Sequence, residues 1–253
     1  MWILSHQNIM LDGMRITVAG ASGLIGRQVV DLLTAEGHEV VAASRTSGVD
    51  VLTGEGVADA LRDAHVLVDV LNSPSYEDEP VLEFFSTATR TLVRAAEVAG
   101  VAHYVALSIV GVTRLPDSGY MRAKVAQETL IEASGLPYTI VRATQFDEFA
   151  DGIVAALTEG DVVRVPDARI QPIAAAEVAA HVARAAVGSP VGVVELGGPD
   201  KITFAELARV VLARRGEQRS VVVDAGATYF GARVDNDSLV TGDGAVLGTT
   251  RFT

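Results

Sequence analysis

The chain alternates short apolar, β-branched runs with longer stretches whose apolar residues recur at helical spacing. Arg15–Ala19 predicts a first strand, and Gln28-Val29-Val30-Asp31-Leu32-Leu33 lies in the helix that follows. Glu36-Gly37-His38 closes that helix on a glycine, and Glu39-Val40-Val41-Ala42-Ala43 predicts a second strand. The pattern continues with a short strand near Val49–Leu52, a helix over Gly56–Asp63, a buried strand over His65–Leu71 and a long helix over Glu79–Gly100. Strands at Ala102–Leu107 and Pro137–Val141 bracket a helix that opens at Tyr120. Beyond Asp147, short strands (Val162–Val165, Ile170–Ile173, Val191–Leu196) alternate with helices (Ala176–Val187, Thr203–Arg215). Thr203-x-x-Glu206 is a capping box, and the glycine- and aspartate-rich stretch Asp224–Thr253 predicts a surface wrap.

Strand and helix in alternation specify an α/β fold with a parallel sheet and a small C-terminal lobe, mainly from residue 145 onward. Residues 1–13 read as a flexible extension, and 14–253 as a single domain.

The first strand runs into Gly20-Ala21-Ser22-Gly23-Leu24-Ile25-Gly26. Strand, glycine turn and helix in that order form a phosphate cradle. One glycine reverses the chain, one admits the pyrophosphate, and one lets the helix lie close to its strand. Gly20, Ser22, Gly23, Leu24, Ile25 and Gly26 are therefore candidate cofactor contacts, with the N–H groups of the helix N-terminus facing the phosphates. A tight structural turn is the competing reading of the glycines alone.

The second strand ends in Ser44-Arg45-Thr46, where a dinucleotide-binding sheet meets the adenosine ribose. An acidic residue there would suit NAD. Arg45, with Ser44 beside it, suits the 2′-phosphate of NADP, because a guanidinium donates two parallel hydrogen bonds to a dianion; a solvated surface arginine is the alternative. Asn72, after the third buried run, is either a cofactor contact or a turn-former before Pro74.

Ser108 lies at the carboxyl end of its strand, and Tyr120-Met121-Arg122-Ala123-Lys124 follows twelve residues later. Tyr120 and Lys124 are four apart on one helix face, so the ammonium can sit near the phenol and favour phenolate. Ser108 can donate to a substrate carbonyl while Tyr120 relays the proton. The chain has two lysines, Lys124 and Lys201, and uses arginine elsewhere, which marks Lys124 as a chosen ammonium.

These residues together resemble the short-chain dehydrogenase/reductase superfamily. Val105–Gly111, Lys124–Glu128 and Tyr138–Phe146 are similar to its atypical, NmrA-like branch of bacterial NAD(P)-binding proteins. The resemblance implies a Rossmann-type, doubly wound parallel sheet, with 14–253 as a single NAD(P)-binding domain whose C-terminal lobe lies on the substrate side. It also implies NADP as cofactor, Ser108, Tyr120 and Lys124 as a reductase triad, and Lys124 also as holder of the nicotinamide ribose. It further implies that the loop Thr144-Gln145-Phe146 approaches the nicotinamide and substrate, with Gln145 on the cofactor and Phe146 on the substrate; Phe146 as core is the alternative. The chain departs from the family in having no asparagine within Glu79–Gly100, where many members carry a fourth catalytic residue. Ser86, Thr87, Thr89 and Thr91 are the substitutes available there.

Composition narrows the functions. A net charge of −12 opposes a nucleic-acid surface, and no apolar run is long enough to span a membrane. The first residues lack a secretion signal, so the sequence predicts a cytoplasmic protein with a small-molecule partner. Without cysteine, and with His6, His38, His65, His103 and His181 scattered, no metal site is expected; each histidine reads as a surface or strand-edge residue. The leading expectation is an NADP-dependent reductase of a carbonyl, or of an activated C=C or C=N bond. A non-catalytic NADP(H) sensor, or a redox-neutral epimerase or dehydratase, are the other two.

Overall fold

The computed structural model describes residues 13–253; the N-terminal extension, with His6, lies almost wholly outside them. The chain runs β1 (Arg15–Ala19), α1 (Leu24–Ala35), β2 (Glu39–Ala43), α2 (Val57–Ala60), β3 (Val66–Asp69), α3 (Asp78–Ala99), β4 (His103–Ile109), α4 (Gly119–Ala133) and β5 (Tyr138–Ala143). It continues through α5 (Ala150–Ala156), β6 (Thr158–Glu159), β7 (Val162–Val165), β8 (Arg169–Ile170), α6 (Ala175–Val187), β9 (Gly192–Gly197), β10 (Ile202–Thr203), α7 (Phe204–Arg215), β11 (Ser220–Val223) and β12 (Val246–Leu247).

Seven strands form one parallel sheet in the order β12-β9-β5-β4-β3-β1-β2. Central strands of such a sheet are covered on both faces, which is why their sequences read as apolar runs rather than alternating ones. Val66 and Val68 of β3 join Ile16, Val29, Val105, Val178 and Val182 in a core under α1 and α6. Leu67, from the opposite face of β3, joins Tyr104, Ile140, Leu92 and Ile131 under α3 and α4. The chain goes one way along the sheet from β1 to β2 and the other way from β3 onward. The switch point therefore lies between β1 and β3, where ligands of such folds bind beyond the carboxyl ends. The Rossmann-type α/β fold expected from the sequence is present.

Several local expectations are corrected. Val49–Leu52 is a turn rather than a strand, because Asp50 Oδ1 accepts from the backbone N–H groups of Leu52 and Thr53. The helix expected over Gly56–Asp63 is the single turn α2, and Asp63 leaves it at φ +58°. The strand expected over Ile170–Ile173 shrinks to β8, since Pro172 cannot donate to a ladder. Asp224–Thr253 does more than wrap the surface: Val246 and Leu247 pair with Leu196 and Gly197 and extend the main sheet. His103 is buried and not peripheral; its Nε2 shares a 2.9 Å hydrogen bond with Thr139 Oγ1, and burial lowers its pKa. The capping box forms as expected, Thr203 N donating to Glu206 Oε2 (2.7 Å) and Glu206 N to Thr203 Oγ1 (3.1 Å). A second apolar core joins α5, β7, β8 and α7 around Phe204, Val163, Ile170 and Leu207.

Candidate functional site

The glycine turn closes on itself and on its neighbours. Gly20 N donates to Ala43 O (3.0 Å) and Gly23 N to Gly20 O (3.0 Å). Gly20 has φ +86°, and a Cβ there would meet Val70 O of the adjoining segment at 2.8 Å. A Cβ on Gly26 would lie 2.1 Å from Gly20 O. Only a chain without side chains at both positions can make this cradle. Gly23 is the N-cap of α1 and no side chain caps the helix, so its first N–H groups face outward beside exposed Ser22. Leu24 is half-buried and Ile25 buried in the core, so these two can offer backbone rather than side chain.

At the tip of β2, Ser44 to Ser47 form a capped 3₁₀ turn. Ser44 N donates to Ser47 Oγ (2.9 Å), and Ser44 Oγ meets Thr46 Oγ1 at 2.8 Å. Arg45 heads this turn exposed, and no ion pair among the described residues engages it.

Three buried polar atoms lack partners at or just past the carboxyl ends of the central strands: Ser108 Oγ in β4, and Thr144 Oγ1 and Gln145 Oε1 just after β5. Thr89 Oγ1, midway along α3, is also without a partner. Buried hydroxyls and amides without partners are rare and call for a ligand or water. The glycine cradle, the uncapped helix and these orphaned atoms together fit a dinucleotide. Among the described residues no cluster of His, Asp and Glu suits a metal.

The Ser, Tyr and Lys side chains are arranged differently from the simple pairing expected. Lys124 is buried. Its Nζ donates to Leu107 O (2.7 Å) and to Gln127 Oε1, and it lies 4.5 Å from the Phe85 ring centroid. Gln127 Nε2 in turn donates to Asp69 Oδ2 (2.9 Å), which also accepts from Tyr104 Oη (2.9 Å). Burial pulls the Lys124 ammonium down to about 8, against the carboxylates of Asp69 and Glu128 that favour its charge. Glu128 is itself paired with Arg142, Arg142 Nε donating to Glu128 Oε1 at 3.0 Å.

The Tyr120 hydroxyl donates to Asn72 Oδ1 (2.7 Å). Its ring packs edge-on against Phe85 (5.8 Å) and tilted by 31° against Tyr76 (5.5 Å). Burial raises the Tyr120 pKa, and the phenols of Tyr76 and Tyr229 add to the rise. The expectation that Lys124 favours phenolate is therefore corrected: burial governs, and the ammonium is engaged by Leu107 and Gln127. The structure brings Asn72 and Tyr120 together and puts Ser108 next to the carbonyl that holds Lys124. Gln145 is buried, its carbonyl accepting from Ile173 N (3.0 Å). Phe146 packs on the core and stacks on Phe149 at 5.3 Å.

Sequence reasoning missed Asp69, Gln127, Tyr76 and Tyr229. Asp69 was detectable as a lone carboxylate inside the apolar run Val66–Leu71, and Gln127 as the i,i+3 neighbour of Lys124. Tyr76 and Tyr229 are loop residues with no periodicity to mark them.

A family model described as NAD(P)H-binding matches residues 20–188. The chain belongs to the NAD(P)H-binding family. The resemblance to the atypical, NmrA-like branch of the short-chain dehydrogenase/reductase superfamily holds. Among curated relatives, the photosystem II assembly factor Ycf39 of Cyanophora paradoxa is 27% identical over 53% of this chain and 46% of its own length. The chloroplastic divinyl chlorophyllide a 8-vinyl-reductase of Oryza sativa subsp. indica is 31% identical over 74% of this chain and 55% of its own. The chain thus spans about half the length of these relatives. Among solved structures, MoeE5 in complex with UDP-glucuronic acid and NAD superposes with a TM-score of 0.69 at 20% identity, covering 88% of this chain and 89% of that one. It shares the fold. No helix among the described residues is long and apolar enough to cross a membrane.

Proposed function

We propose that the protein is an NADP-dependent reductase of a small organic carbonyl, with Tyr120 as proton donor. The observation that carries this reading is the Asn72-bound phenol of Tyr120, tied to the loop after β3, together with the unpartnered, buried hydroxyl of Ser108 at the carboxyl end of the adjacent strand β4. Gly20 and Gly23 shape the turn through their own backbone bonds; Ser22, Leu24, Ile25 and Gly26 would hold the pyrophosphate through backbone N–H groups, Ser44 and Arg45 the 2′-phosphate, and Lys124 and Gln145 the nicotinamide end. When bound, NADPH supplies a hydride to the carbonyl carbon.

The chain's own residues handle the oxygen. Ser108 Oγ has no protein acceptor, so its proton is free to polarise the substrate carbonyl. Tyr120, with its pKa raised by burial, holds its proton at neutral pH and can release it to the developing alkoxide. A phenol biased this way serves reduction better than oxidation. Phe146 and the chain from residue 145 onward close the substrate side, the unit 14–253 acting as one domain.

A second reading, a non-catalytic NADP(H)-responsive regulator, is favoured by one observation: the ammonium of Lys124 is bound by Leu107 and Gln127. One experiment separates the two. NADPH binding is titrated by fluorescence, and absorbance decay is then followed with a carbonyl panel in the wild type and in Tyr120→Phe. Turnover that collapses in Tyr120→Phe with NADPH affinity retained supports the reductase. Turnover unchanged in that variant removes Tyr120 from the mechanism, and tight binding without turnover on any carbonyl favours the regulator.

A further inference from the structure

Asp69 ends the otherwise apolar strand β3 and is buried there. In register it lies level with Ala19, the residue before the glycine turn, and with Ala106, the residue before Leu107. Both of its oxygens are engaged. Oδ1 accepts from Leu71 N (3.2 Å), and Oδ2 accepts from Tyr104 Oη (2.9 Å) and from Gln127 Nε2 (2.9 Å). Burying a carboxylate is costly, and none of these three partners carries a charge to offset it. Packing alone would be served by an apolar side chain, as at Val66, Leu67 and Val68.

The cation stands one amide further on. A carboxylate only accepts, so Gln127 turns its NH₂ group to Asp69 and its Oε1 to the other side, where Lys124 Nζ donates to it. Without the charge at residue 69 the amide would be free to invert and set its NH₂ against the ammonium. Lysine has three donors. Leu107 O (2.7 Å) and Gln127 Oε1 take two, and the third has no hydrogen-bond acceptor among the described residues.

The other groups around Nζ are committed elsewhere. Glu128 of α4 is paired with Arg142 of β5, Tyr104 of β4 donates to Asp69, and Tyr120, one turn earlier on α4, donates to Asn72. From α3 the neighbour is the Phe85 ring, 4.5 Å from Nζ to its centroid. Asp69 is thus the carboxylate at this site that forms no direct ion pair among the described residues.

We propose that Asp69 is a positioning residue for Lys124: through the oriented amide of Gln127 it places the ammonium beside Leu107 O and supplies the buried negative charge that balances it, leaving one N–H for a ligand. That this ligand is the nicotinamide ribose rests on the function proposed above; the dependence of Lys124 on Asp69 does not. The same carboxylate, through Leu71 N, fixes the chain that enters Asn72, the partner of Tyr120. One buried group therefore sets both the ammonium and the loop that holds the phenol.

The test uses the fact that the chain has two lysines. With isotopically labelled lysine the full chain gives two side-chain NMR signals, told apart by Lys201→Arg, and the midpoint of each is read as pH rises. In the wild type Lys124 should titrate at about 8. Asp69→Asn keeps the size and an acceptor for Leu71 N while removing the charge, and should lower the Lys124 midpoint by about one pH unit with Lys201 unmoved. Gln127→Met, which breaks the link and keeps the bulk, should lower it as well, and decides the matter if Asp69→Asn does not fold. The double variant Asp69→Asn/Gln127→Glu moves the carboxylate onto the ammonium and should return the midpoint to the wild-type value or above. Tyr104→Phe removes the other donor to Oδ2 but keeps the charge, and should leave the midpoint almost unchanged.

An unchanged midpoint in Asp69→Asn or Gln127→Met, no recovery in the double variant, or an equal fall in Tyr104→Phe overturns the proposal. The midpoint is read without cofactor or turnover, so the two readings fail separately. NADPH affinity that stays level as Lys124 loses its proton removes Lys124 from the cofactor and spares its dependence on Asp69. Affinity that falls through the wild-type midpoint, with Asp69→Asn leaving that midpoint in place, does the reverse.

Discussion

Tyr120 donates its phenolic proton to Asn72 Oδ1 at 2.7 Å, tying the start of α4 to the loop that follows β3. Asn72 thereby orients the phenol. A neutral hydrogen bond of this kind contributes about 1 kcal/mol. Asn72→Ala is expected to lower kcat by roughly fivefold to tenfold through a less well-held phenol. NADPH affinity, measured by fluorescence titration, should be almost unchanged; a large loss of affinity with kcat intact would make Asn72 a cofactor ligand instead.

Lys124 gives the protein a pH dependence in a definite direction. Its pKa in the fold is about 8, below the ordinary 10.5, because burial disfavours the ammonium more than Asp69 and Glu128 favour it. If the ammonium holds the ribose, kcat/KM should be flat in this group below pH 8 and fall about tenfold per pH unit above it. Gln127→Leu removes one acceptor from Nζ and should move that break to lower pH. Stability responds in the opposite direction. Between pH 8 and 10.5 the unfolded chain binds a proton at Lys124 that the folded chain does not, so this residue's contribution rises with pH across that window, by on the order of 3 kcal/mol. Urea unfolding at pH 7.5 and pH 10, compared between wild type and Lys124→Met, measures the difference.

The glycine cradle makes a sharper prediction. Gly26→Ala would put its Cβ 2.1 Å from Gly20 O, a backbone atom that cannot swing aside. Either the turn opens or α1 moves off β1. Dinucleotide affinity should fall by at least about a hundredfold, and the thermal midpoint should drop as well. Gly37→Ala serves as the control: it has φ +87° but nothing within 4 Å, so it should lower stability and leave affinity alone.

The parts of the molecule that were legible in the sequence are those where one physical requirement dominates. Runs such as Val66–Val68 and Val105–Leu107 have to be buried on both faces, and Gly20 and Gly26 sit where a Cβ is forbidden. Tyr120 and Lys124 do share a helix, as their spacing requires. What the spacing does not encode is which neighbour each group chooses. Lys124 had Leu107 O and Gln127 within reach, and burial governs the phenol of Tyr120. Val49–Leu52 has strand-like residues, yet Asp50 caps its own turn and overrides them. Tyr76 comes from a loop with no periodicity to mark it, and only tertiary packing brings its ring onto Tyr120.

Arg45 tests the cofactor preference most directly. It is exposed at the head of the 3₁₀ turn after β2, flanked by Ser44, and no carboxylate among the described residues pairs with it. A structural arginine would be expected to have a partner or a packed stem. One kept for a 2′-phosphate has to stay free until the ligand arrives. Charge-assisted hydrogen bonds to a phosphate contribute about 1.5–3 kcal/mol, so Arg45→Ala should weaken NADPH by roughly ten- to a hundredfold. NADH, with a ribose hydroxyl in place of that phosphate, should lose less than about threefold. Arg45→Asp should invert the preference, because a carboxylate repels the dianion and accepts from the free 2′-hydroxyl. Fluorescence titration of both dinucleotides against the three proteins reads this out. Equal losses for NADPH and NADH would make Arg45 a surface residue and leave the glycine cradle as the source of affinity for both.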